Sequence, residues 1–270
     1  MDELIRPVML KLERAAKQRD ALIAFASEWA KNNPSQTHVE FLPNRHGYKV
    51  VLDPFKEALP FDDLGLTLGE FAHNLRSALD NLAFALARLQ AEPPLRPKDL
   101  AFPIFDDPTA FAKVGKRYLQ QLPEEAARLI QMIQPFNRDL PGAEKLSEKD
   151  PLILLQRVNN SDKHRIPAVA LFAPETFELS ATVIFADELA ADLNTPPDVT
   201  IWAGPLAPGV PLLEYRTRHP LEKAGGNIKV QAVVSVICDE KKYPLFELIT
   251  SLHDYVCLVV GQFSHFFKPQ

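Results

Sequence analysis

The stretch "TLGEFAHNLRSALDNLAFALARLQ" (residues 67–90) decides more of the fold than any other. Leu68, Phe71, Leu75, Leu79, Leu82, Leu86 and Leu89 fall on one broad face at about 100° per residue, as in a helix that buries one wide side. Thr67 and Glu70 stand in capping-box spacing, so the helix is expected to start at Thr67. Opposite the apolar face run His73, Ser77, Asp80 and Phe84, with Arg76 beside them. One reading is a solvated face with an Arg76–Asp80 pair at i,i+4. The other is a second buried contact. Solvated faces more often carry Lys and Glu, and Arg placed before Asp is the less favourable order for helix stability, so the second reading stays open beside the first.

Upstream of this helix, Val8, Leu12, Ala15, Leu22, Phe25 and Trp29 repeat at helical steps from Pro7 to Lys31. "HVEFLPNRHGYKVVLD" then alternates on both sides of "PNRHG", which predicts a β-hairpin with Gly47 in the turn. Downstream, a proline-rich loop holds a short extended piece around Phe102 to Phe105, and two short helices begin at Pro108 and Pro123. Asp150 is the expected N-cap of a helix from Pro151 to about Arg165. After about residue 168, β-branched and alternating runs separated by Pro, Gly, Asn and Asp predict a mostly antiparallel sheet, and Pro244 opens a closing helix. The expected class is therefore α+β: a helical first half with an N-terminal hairpin, then sheet, then a C-terminal helix. Residues 1–270 are read as a single domain, with a subdivision into 1–167 and 168–270 left open.

The composition is that of an ordinary soluble protein, 46% hydrophobic and 24% charged with a formal net charge of -5. Net acidity argues against a surface built to track phosphate backbones. The first twenty residues lack the apolar run of a signal peptide and the late apolar segment is broken by Glu247, His253, Asp254 and His265, so a cytoplasmic protein with no membrane partner is expected. Cys238 and Cys257 form no C-x-x-C pair and read as reduced core residues. With 10 glycines and no phosphate-loop, dinucleotide, zincin or nucleophile-elbow motif, the usual nucleotide and hydrolase readings have no local support.

A second polar stripe lies in "LLQRVNNSDKHRIP" (residues 154–167). Leu152 and Leu155 set the core face, and its continuation lands on Asn159, Asp162 and Ile166, so the core stripe turns polar. Arg157, Asn160 and His164 lie together on another side. Lys163, His164 and Arg165 suit a helix C-terminus, where cations complement the dipole; Asp162 does not.

The ordered motifs "GEFAHNLRSALDNLAFALA", "FPIF", "LIQMIQPF" and "PLILLQRVNNSDKHR" resemble those of a widespread bacterial family of uncharacterised proteins, whose members carry H-N-L-R-S-A-L-D-H-L, F-P-I, Q-P-[YF] and L-N-x-x-D-K-H-R in that order. The resemblance covers roughly the first two thirds of the chain and implies no established activity. Asn81 stands where many members have a second histidine. A more distant resemblance is to the HEPN superfamily of helical nucleases and nucleotide-binding proteins, through the six residues that separate Arg157 from His164. That resemblance implies an R-x6-H site, and the sheet-rich part would be an addition to an all-helical domain.

The residues leave the enzyme question open. The first expectation is a ligand- or partner-binding protein with a polar site between helix 67–91 and helix 151–165, in which Asn74, Ser77, Asn159, Asn160 and Asp162 bind. The alternative is a HEPN-like, metal-independent ribonuclease or phosphodiester-transfer enzyme. In it His73 and His164 would exchange protons, Arg76, Lys163 and Arg165 would stabilise phosphorane charge, and Asp80 would complete the set. The expected ligand is small and polar or anionic, or RNA in the alternative; homo-oligomerisation is left open. No cofactor is expected. A metal site from His73, Asp80, Asp162 and His164 has suitable ligand types, yet the adjacent cations oppose it and no metal is assigned.

Overall fold

The computed structural model describes residues 3–139, 145–164, 167–172, 178–187, 189, 198–229 and 232–268. It divides into two compact units, each assembled from separated stretches: 1–23, 62–168 and 238–270 in the first, 24–61 and 169–237 in the second. Helices and antiparallel sheets are both present, with helices dominating the first half and one closing the chain, as the residue pattern predicts.

The first unit is helical. Helix α1 (Arg6–Asn32) contributes its part up to Ile23, and α2 (Phe61–Arg88) crosses it with Leu68, Phe71, Leu75, Leu79, Leu82 and Leu86 all fully buried. Leu89 lies past the helix end and is exposed. The crossing of α1 and α2 is fixed by polar contacts: Lys11 Nζ donates to Asn74 Oδ1 at 3.1 Å, Asn74 Nδ2 to Gln18 Oε1 at 2.9 Å, and Gln18 Nε2 to Glu70 Oε2 at 2.8 Å.

Helix α2 begins six residues before the expected Thr67. Asp62 and Asp63 occupy its first turn, where carboxylates suit the dipole, and the buried Leu64 and Gly65 extend the apolar face upstream. Thr67 is inside the helix, with its hydroxyl donating back to Asp63 O at 2.9 Å, so the Thr67–Glu70 spacing is not a cap.

Two short helices follow, α3 (Pro108–Lys113) and α4 (Glu124–Met132). Asp107 caps α3 by accepting from Thr109 N at 2.7 Å. Helix α5 (Pro151–His164) is capped by Asp150, whose Oδ1 accepts from Leu152 N at 2.8 Å. That carboxylate is buried and also receives the Arg138 guanidinium, which in turn donates to Tyr255 Oη. The closing helix α6 (Leu245–Gln262) buries Leu248, Ile249, Leu252, Val256 and Val259.

The second unit is mostly sheet. The hairpin β1 (Thr37–Phe41) and β2 (Gly47–Leu52) forms as predicted. Gly47 has φ +135°, and a Cβ there would lie 2.1 Å from the Tyr215 carbonyl oxygen, so only glycine fits. Strands β3 (Ala168–Phe172), β4 (Glu178–Phe185), β5 (Asp198–Ile201), β6 (Pro211–Arg216), β7 (Leu221–Lys229) and β8 (Val233–Cys238) follow, with β9 (Lys241–Pro244) leading into α6. One sheet has the order β1-β2-β6-β5, and β4 pairs antiparallel with β7. Tyr48 is fully buried, stacked on Tyr215 with ring centroids 5.3 Å apart. Among the described residues, no helix is long and apolar enough to cross a membrane.

Candidate functional site

The extended piece at residues 102–105 is where the first unit brings its motifs together. An extended segment with no partner strand leaves backbone donors and acceptors to be met by other groups. Here side chains meet them. Asp80 Oδ1 accepts from Phe102 N at 2.9 Å, and Arg76 Nη2 donates to Phe102 O at 2.6 Å. The same two side chains bond each other, Arg76 Nη2 to Asp80 Oδ1 at 2.7 Å and Nε to Oδ2 at 3.2 Å. From the other side, the buried Gln134 accepts from Phe105 N at 3.1 Å and donates to Pro103 O at 2.9 Å and Ile130 O at 3.0 Å.

A cleft of about 230 Å³ opens along this piece. Its described lining is Arg76, residues 101–105, Tyr118, and Gln156, Asn159 and Asn160 of α5. Helices α2 and α5 thus contribute to one concavity. Asn159 is 3% exposed, and neither its Oδ1 nor the buried Gln156 Oε1 meets a hydrogen-bond partner among the described residues. Arg76 donates through Nε and Nη2 to Asp80 and Phe102 O, and its guanidinium also lines the cleft.

The sequence-predicted residues distribute as follows. Arg76, Asn159 and Asn160 reach the cleft. Asp80 stands behind Arg76 and is engaged by it and by Phe102 N. Asn74 is buried on the α1 side of α2 and serves the helix crossing instead. His73 and Phe84 are exposed, so this part of the α2 stripe faces solvent and not a second core; Ser77 Oγ lies 3.4 Å from His73 Nε2. The side chains of Asp162, Lys163 and His164 and the whole of Arg165 lie outside the described residues. Among the described residues Asn159 Oδ1 receives no bond from Arg76, which bonds Asp80 and the backbone at Phe102. Arg157, half of the R-x6-H spacing, pairs with Asp239 at 3.1 Å and donates to Glu148 O at 3.4 Å. Among the described residues, no group of three His, Cys, Asp or Glu side chains is placed to hold a metal ion.

Three participants carry no role in the sequence reading: Gln134, Tyr118 and Gln156. Gln156 precedes Asn159 by three residues, so helical spacing alone places both amides on one side of α5. Gln134 is signalled by its position ahead of Pro135, in the motif that accompanies "FPIF". Tyr118 has no comparable signal.

No protein-family model matches the chain, and no curated protein or solved structure matches it.

Proposed function

We propose that the protein is a binding protein that holds a small polar ligand in the cleft between the residue 101–105 segment and α5. The observation that carries this reading is the pair of buried amide oxygens, on Asn159 and Gln156, that line a concavity without partners among the described residues. A buried polar atom left unmet costs about 1–3 kcal/mol, and nearly all such atoms in native proteins have a partner. Two on one face of one helix, beside the Arg76 guanidinium, describe a surface suited to complementary groups. Both cysteines are free thiols, which suits a reducing compartment such as the cytoplasm.

Binding is tested by screening a fragment library by ligand-observed NMR against the wild type and an Asn159→Leu variant. Hits on the wild type that vanish in the variant support the site, and a hit list unchanged by the substitution overturns it. The same preparation, incubated with single-stranded RNA and a chelator, is expected to leave the RNA intact. Cleavage that His164→Ala abolishes would replace binding with catalysis.

A further inference from the structure

The composition of the cleft wall narrows the class of ligand, on the premise that the cleft is a binding site. Among the described lining residues Arg76 is the only charged one, and its charge is matched from behind by the bidentate Asp80 carboxylate. A full anion entering here would meet a guanidinium already neutralised and would approach a carboxylate. The rest of the polar wall is carboxamide, from Gln156, Asn159 and Asn160. The apolar remainder is residues 101–105 and the Tyr118 ring, among them two flat Phe rings that suit a planar ligand. The two oxygens, unmet among the described residues, ask for N–H or O–H donors, and the Arg76 guanidinium on the same wall, a donor through every N–H, suits an acceptor. At about 230 Å³ the space is below the roughly 300–1,000 Å³ of drug-sized pockets, so a compound of one or two fused rings fills it.

We infer that the ligand is a neutral cyclic amide or imide, whose ring carries an N–H and a C=O on adjacent positions, the N–H directed to the Asn159 and Gln156 oxygens and the C=O to Arg76. A carboxylate has acceptors only and leaves both oxygens unmet, and a phosphate brings a full charge to a guanidinium already paired with Asp80, so both the hydrogen-bond pattern and the charge balance favour the neutral ring. Buried amide and guanidinium groups discriminate strongly against a ligand that lacks the matching group, because they are then left desolvated and unpaired.

Isothermal titration of the full chain with uracil, hypoxanthine, benzoate and inorganic phosphate separates the classes. Uracil or hypoxanthine is expected to bind, and blocking the ring N–H groups with methyls is expected to weaken binding at least about tenfold, the factor set by loss of roughly 1.4 kcal/mol. Asn159→Leu is expected to weaken it by a similar factor, and Gln156→Met serves the same purpose should the first variant fold poorly. If benzoate or phosphate binds instead and Asn159→Leu removes that binding, the ligand class is overturned while the site stands. If methylation of the ring nitrogens changes nothing, the donor assignment is wrong and the proposal falls. If none of the four compounds binds at millimolar concentration, the proposal falls, and the fragment screen decides the site.

Discussion

The polar stripe of α2 and the polar end of α5 border the same cleft and differ in what they leave unmet. On α2, Arg76 and Asp80 bond each other and both backbone groups of Phe102, and Gln134 secures Phe105 and Pro103 in the same fashion. On α5, Asn159 is buried and Gln156 half-buried, and their buried oxygens have no partners among the described residues. The first stripe builds a wall; the second leaves that wall with something to bind. Polarity on a helix face is therefore not one signal. Whether it is structural or functional depends on whether an irregular segment elsewhere in the chain comes to use it.

Four substitutions test this contrast, beginning with the wall. Gln134→Leu removes the partners of Phe105 N, Pro103 O and Ile130 O at a buried position, and is expected to lower stability by about 3 kcal/mol, measured by urea denaturation. A loss below about 1 kcal/mol would show that residues 102–105 are held by something else. Asp80→Ala frees a guanidinium and Phe102 N, but both partners of the ion pair retain some solvent contact, so the expected loss is smaller, about 2 kcal/mol. Asn159→Leu has the opposite sign: with a desolvated oxygen removed, the ligand-free protein is expected to hold its stability or gain about 1 kcal/mol while binding weakens. A drop of more than about 2 kcal/mol would mean that Asn159 belongs with the structural stripe.

The smallest effect lies in the second unit, where a polar cluster sits largely at the surface. The His38 ring bonds Asp53 Oδ1 at 2.6 Å and Glu40 Oε1 at 3.1 Å. Those carboxylates, Glu40 foremost, raise the imidazole above its ordinary value. A group whose folded value is raised contributes stability that is complete below its unfolded value and fades as pH rises through the folded one. Thermal melts of wild type and His38→Ala between about pH 5 and pH 9 are therefore expected to differ slightly at the acid end and to converge at the alkaline end. Convergence at the acid end instead would reverse the assignment.

Much of this organisation is legible in the residues. Six of the seven apolar positions read from residues 67–90 form the buried face of α2, Asp150 announces its capping role, and the core stripe of α5 visibly turns polar at Asn159. The start of α2 is misread because Thr67 and Glu70 imitate a cap, whereas the burial of Leu64 and Gly65 carries the helix further upstream. The Arg76–Asp80 pair is legible at i,i+4 spacing, but the further partners of both are illegible for a different reason. Their bonds run to backbone atoms of Phe102, and a backbone carbonyl or N–H has no letter in the sequence. Placing histidines at the site fails for His73 because a helix face shows which residues lie together and says nothing about whether another element arrives to cover them.

One consequence follows from the way residues 102–105 are held. Arg76, Asp80 and Gln134 grip the segment through its backbone atoms, so this part of the anchorage is indifferent to side chains, while the fully buried Phe102 holds it by packing. Ile104 and its neighbours can be exchanged for other apolar residues, reshaping the mouth of the cleft while its frame stays put. Such a segment is a replaceable cassette: related chains could diverge in what they accept by changing one or two letters between Ala101 and Phe105, with the clamp residues left untouched.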